Sequence, residues 1–230
     1  MEAFSVVDGW LEALIEDDER EVLAHLVSEV AELLGVDVAQ RASELGLYET
    51  PELGGDFSQF DDEMLPDRDV GVVSATESAW EEITARLDIG DEDDDLIGPP
   101  ADPAVARLLP PVSSDYETAE EFRRLTQHGL RTEKADRLVW FWVRLQPEHG
   151  PRFVATSDEG DLLASAITDI RLVLAQRLGI DSASDLDQLR QRNDSGDIGE
   201  HQMGLLQLSD VLAWWQESLL TGLLNLPSDQ

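Results

Sequence analysis

The chain has 230 residues, of which 50 are acidic and 16 basic, for a formal charge of −34 at pH 7. A surface this negative repels phosphate, which argues against general binding to nucleic acid or to anionic membranes and leaves basic polypeptides as the attractive partners. The absence of cysteine removes disulfides, thiolate metal sites, thiol nucleophiles and thiol redox switches, while a hydrophobic content of 42% is enough to build a core.

From the N-terminus, Phe4 to Ile15 has the pattern of a β-hairpin, with Asp8-Gly9 supplying the positive-φ turn that twisted strands prefer. No basic start or apolar core marks Met1 to Val7 as a signal peptide, and the expected location is cytoplasmic. A helix is predicted from Asp17 to Leu34, with Leu23, Leu26, Val27, Val30 and Leu34 on one face and Gly35 as its stop. A short helix is predicted over Val38 to Leu47.

The strip from 50 to 100 reads as an acidic, partly mobile insertion within one domain of residues 1–230. Glu49 to Asp102 carries 18 acids against Arg68 and Arg86. One helix is predicted in it, from Ala75 to Leu87 with Trp80 and Ile83 inward. Asp91, Asp93 and Asp95 have the opening spacing of a calcium loop, but Leu96 stands where glycine is needed and Asp102 where the closing glutamate belongs, so a solvated acidic loop is favoured.

Pro103 opens a short helix to Leu109. Two further helices are predicted over Glu117 to Leu125, with Phe122 as apolar anchor, and over Leu130 to Leu145, with Ala135, Leu138, Val139 and Trp142 inward. Val139 to Val143 would also suit a strand; the three-to-four spacing favours helix. Gly129 lies between the two, where a helix-turn-helix is conceivable, although the second helix carries no Asn or Gln near its start to read bases. Arg152 to Ala155 looks extended, and Asp158 to Leu178 is the clearest helix, capped by Gly179. Asp185 to Gln191 is at best weakly helical. The last helix is placed from Ser209, as N-cap, to Leu224, with Leu212, Trp215, Leu219 and Leu223 on one face and a flexible tail at 226–230. The fold class is thus mainly α, a helical domain with a small N-terminal β-hairpin and the option of a short sheet with 152–155.

A weak repeat at an offset of 140 aligns Asp18-Glu19 with Asp158-Glu159, Leu23 with Leu163, Val27 with Ile167 and Val30 with Ile170. Chance likeness of two amphipathic helices is the simpler explanation. A true repeat would mean two strand-plus-helix units whose strands can pair in one sheet.

Asp102-Pro-Ala-Val-Ala-Arg-Leu-Leu-Pro110, Glu121-Phe-Arg-Arg-Leu-Thr126, Asp169-Ile-Arg-Leu-Val-Leu174 with Arg177-Leu-Gly-Ile180, and Trp214-Trp-Gln-Glu-Ser-Leu-Leu220 occur in that order. Together they resemble an actinobacterial family of unknown function, often encoded beside the ClpS adaptor, that includes the oxidative-stress regulator AosR. The likeness covers Met1 to Gly35 and Ala101 to Asn225. It implies a cytoplasmic, largely helical, non-enzymatic protein tied to stress-linked transcription, with a sigma factor as the implied contact. The chain departs from the family in a longer 50–100 strip and in having no thiol, so cysteine-based sensing does not carry over.

No phosphate-binding glycine loop, dinucleotide fingerprint or nucleophile elbow is present, and His25, His128, His149 and His201 are dispersed. No catalytic, cofactor or metal residue is assigned. The candidate interaction surface is the basic segment Arg123, Arg124, Arg131, Lys134 and Arg137 together with Trp214. For the basic residues, pairing with the protein's own acids is favoured over an anion patch or a dock for an acidic partner. Trp215 belongs to the core stripe and Trp214 to its edge, near Val211 and Ser218; two packed aromatics are favoured over an interface anchor at Trp214. Arg171 and Arg177 are expected to pair with Glu217 across helices. The expected function is regulation by protein–protein contact through acidic surface plus an aromatic patch. A direct DNA-binding regulator and a carboxylate metal-dependent enzyme are the alternatives; the oligomeric state is left open.

Overall fold

The structure is a computed structural model that describes residues 1–48, 100–110 and 116–227, with the side chains of 116–125 outside the description. The insertion, its predicted helix and the acid run Asp91 to Asp95 therefore lie outside the described residues, as does the end of the tail. The fold is mainly helical with a three-stranded antiparallel sheet of order β1-β2-β3.

Strands β1 (Ser5–Val7) and β2 (Trp10–Leu14) form the hairpin. Asp8 and Gly9 both take positive φ, 51° and 86°, as the tight turn between twisted strands requires. The third strand, β3 (Arg152–Ala155), pairs with β2. Seven helices complete the described chain: α1 (Asp17–Leu33), α2 (Val38–Glu44), α3 (Pro103–Leu108), α4 (Tyr116–Arg144), α5 (Ser157–Arg177), α6 (Ala183–Asp194) and α7 (Glu200–Asn225). A 3-10 turn, Pro147–His149, leads into β3. α1 packs on α4, α5 on α7, and α3 on α5, with α4 and α5 in contact at the centre.

Three helix predictions need correction. Residues 116–144 form one helix rather than two, and no turn occurs at Thr126 to Leu130. Gly129 keeps an ordinary helical φ, and Thr132 bonds the His128 carbonyl at 2.9 Å as a mid-helix threonine does. A lone glycine lowers helix propensity without ending the helix. The last helix begins at Glu200, not Ser209, because Leu205 and Leu206 are already buried and extend the apolar face backwards. The segment at 183–194 is a full helix, fixed by a capping box between Ser182 and Asp185.

The 140-residue repeat has a structural counterpart. Both α1 and α5 follow a strand of the sheet, and both start with a capping box, Glu16 with Glu19 and Thr156 with Glu159. Leu23 and Leu163, Val27 and Ile167, Val30 and Ile170 are buried at matching positions, and so are the acids Glu29 and Asp169. In the β2–β3 register Ala13 lies opposite Phe153, its own counterpart at that offset. The two strand-plus-helix segments thus pair through their strands in one sheet.

The sheet's inner face closes on an aromatic cluster in which Trp215 lies 4.9 Å from Phe4, 6.1 Å from Phe153 and 6.2 Å from Phe141. Leu11 of β2 wedges between α5 and α7. A Cβ on Gly160 or Gly222 would come within 2.7 or 2.6 Å of its side chain, so glycine at both positions lets the helices approach the sheet.

Candidate interaction surface

The cationic side chains define what the surface can offer. Arg20 is buried on α1 without a carboxylate: it donates to the carbonyls of Leu145, Gln146 and Gly150, and so closes the C-terminal end of α4. Arg41 forks onto Asp136 at 2.8 and 3.1 Å and also reaches Glu44, which ties α2 to α4 and holds the guanidinium pKa above its ordinary value. The bond from Arg41 comes second to one from Gln40 in holding the Glu44 carboxyl below its usual range. Arg107 pairs with Asp181, Arg152 with Glu12, and Arg190 with Asp210. Arg144 donates to the Val154 carbonyl on the outer edge of β3 and lies over the Phe153 ring at 5.4 Å; Arg192 donates to the Asp197 carbonyl.

Of the basic segment, Lys134 and Arg137 are internal pairs. The Lys134 ammonium is 2.5 Å from Asp169 and the Arg137 guanidinium 3.4 Å from the other oxygen of the same carboxylate. Asp169 is only 2% exposed, and Arg137 also holds Glu133 at 2.9 Å. These two cations bind α4 to α5 and are not presented outward. Arg131 is half-buried beside Gly35. Arg123 and Arg124 lie on α4, with side chains outside those described.

The expected pairing of Arg171 and Arg177 with Glu217 is corrected. Arg171 donates to the Gln216 side-chain carbonyl at 2.5 Å, and the Gln216 amide in turn donates to Ala164 and Thr168. Gln216 faces α5 and is buried, whereas Glu217, one residue on, is turned about 100° away. Arg177 pairs instead with Asp102, at 2.6 Å, the residue that also caps α3. Glu217 is left exposed, with no cation within ion-pair distance among the described residues.

Trp215 is fully buried, as the helical stripe predicts, whereas Trp214 is 45% exposed rather than packed. Around Trp214 on α7, Val211, Leu220 and Leu224 are also exposed, Leu224 at 87%. This outer face of α7 is the element sequence reading missed beyond Trp214. The signal was present in the spacing Trp214, Glu217, Leu220, Leu224, but it required knowing which stripe the core takes.

Buried acids are the other finding. Glu29 contacts His25 at 3.2 Å. Burial pushes its carboxyl pKa up, against the opposing pull of His25. Among the described residues, no three His, Asp or Glu side chains converge as a metal site would need, and no helix is long and apolar enough to cross a membrane.

Compared with known protein families, residues 1–223 match the model of a domain of unknown function, DUF2017. No curated protein and no solved structure matches the chain.

Proposed function

Since the chain belongs to the DUF2017 family over nearly its whole length, we propose that it is a regulatory protein that acts by binding other polypeptides and has no chemistry of its own. One observation carries this reading. Of the twelve cationic side chains the structure describes, all but Arg131 are engaged in internal contacts. The surface that remains for partners is anionic, and an aromatic residue, Trp214, stands out of it. Opposite charge speeds encounter and an apolar anchor holds the complex, so binding is fast to form and sensitive to salt.

The resemblance to the family that includes AosR directs this reading towards stress-linked transcription in an actinobacterial cytoplasm, with a sigma factor as the partner. Sensing through cysteine is outside it, because the chain has none. Direct reading of a duplex is disfavoured by the field of the molecule and by the unbroken α4 helix where a helix-turn-helix would need its turn.

The test is affinity capture from native lysate with the full chain at low and at high salt. Recovery of a basic protein at low salt, released by salt, supports the reading. Retention of duplex DNA in near-physiological salt, or turnover of a small compound, removes it.

A further inference from the structure

We infer that the outer stripe of α7, formed by Trp214, Glu217, Leu220 and Leu224, docks a cationic amphipathic segment of another protein. The inference deepens the proposed function and rests on it. Its occupant follows from charge and from the stripe itself.

Successive steps of three and four residues bring Trp214, Glu217, Leu220 and Leu224 onto the side of α7 turned away from the core residues Leu212, Trp215, Leu219 and Gly222. The three apolar members are exposed at 45%, 46% and 87%. An apolar stripe of this spacing fits the apolar face of a second helix or an extended segment. At its centre stands the Glu217 carboxylate. Arg171 and Arg177, the cations expected to neutralise it, are committed elsewhere, to Gln216 and Asp102. A partner therefore has to bring an arginine or lysine to Glu217, flanked by apolar side chains that cover Trp214 and Leu224. A second copy of this chain is the wrong occupant, because association would place two bodies of charge −34 together and set Glu217 carboxylates in a shared apolar seam.

The probe is a labelled synthetic peptide of about twenty residues, long enough for a helix matching the stripe, with leucines at heptad spacing and lysines beside them. Two control peptides accompany it, one with the leucines replaced by serine and one with the lysines replaced by glutamate. Binding to the full chain is read by fluorescence anisotropy at low and moderate salt. The leucine–lysine peptide is expected to bind and both controls to bind at least about tenfold more weakly. Trp214→Ala is expected to weaken the complex by about tenfold or more. Glu217→Gln is expected to weaken it less than Glu217→Lys does, with the salt dependence reduced in both charge variants. Trp10→Ala, on the exposed hairpin, is expected to change nothing. Circular dichroism checks that each variant is folded.

Absence of binding, equal binding by the serine control, unchanged affinity in Trp214→Ala, or loss of affinity in Trp10→Ala overturns the docking surface. So does a wild-type dimer that Trp214→Ala dissociates. If Trp214→Ala still captures the lysate partner in full, the surface is wrong and the regulatory reading stands. If no basic protein is ever captured, the reading itself fails.

Discussion

Asp169 shows why a buried charge in this fold is structural. Its carboxylate is sealed between α4 and α5 and satisfied by Lys134 and Arg137, so removing its charge strands two cations that are themselves mostly covered. Asp169→Asn is expected to cost about 3 kcal/mol of stability, read as a lower urea midpoint with an unchanged slope. Glu29, its counterpart in the first βα unit, behaves differently. Burial raises its pKa and Glu32 beside it adds to this, while His25 on the same helix and Arg177 on α5 pull the other way. A carboxyl whose folded pKa lies above its unfolded value favours the folded state when protonated. Stability is therefore lost as pH climbs from about 4 through the raised value, and the loss is complete above it. Glu29→Gln is expected to be more stable than the parent at neutral pH, with the gain vanishing below about pH 4, as measured by urea midpoints across that range.

The helices obey their local signals wherever packing agrees with them. Asp8-Gly9, Gly35 and Gly179 place the turn and two helix ends, and each takes the positive φ its role demands. The exception is α4. Gly129 has the composition of a turn, yet the helix runs through it, since Ala135, Leu138 and Val139 downstream pack inward on the same helix axis. An alanine there meets nothing within 4 Å. Gly129→Ala is therefore expected to stabilise by about 0.5–1 kcal/mol, seen as a higher thermal midpoint. A left-handed glycine in a helix-turn-helix would give the opposite sign. The paired βα units belong to this scale too. Their matched capping boxes and buried acids show in the sequence as a 140-residue offset, which by itself is no different from two ordinary amphipathic helices; the pairing of Ala13 with Phe153 is a tertiary fact.

At the scale of the whole molecule, the charge of −34 is a standing repulsion that folding works against. The internal ion pairs are few beside the acids left over. Screening should therefore relieve more repulsion than attraction, and the urea midpoint is expected to rise between low ionic strength and about 0.5 M salt; a fall would mean that surface pairs dominate. The sequence by itself determined the sign of that field, the mainly helical class, the hairpin, and the burial of Trp215. Each of these follows from composition or from spacing within one element. Only the tertiary structure decided where the cations go. Lys134 meets Asp169, Arg171 meets Gln216 and Arg177 meets Asp102 because particular helix faces come together, and partners 35, 45 and 75 residues apart leave no trace in local pattern. The same packing turned Glu217 outward. A helix has one direction for each side chain, and once the core claims Leu212, Trp215 and Leu219, the opposite stripe is left to face whatever binds.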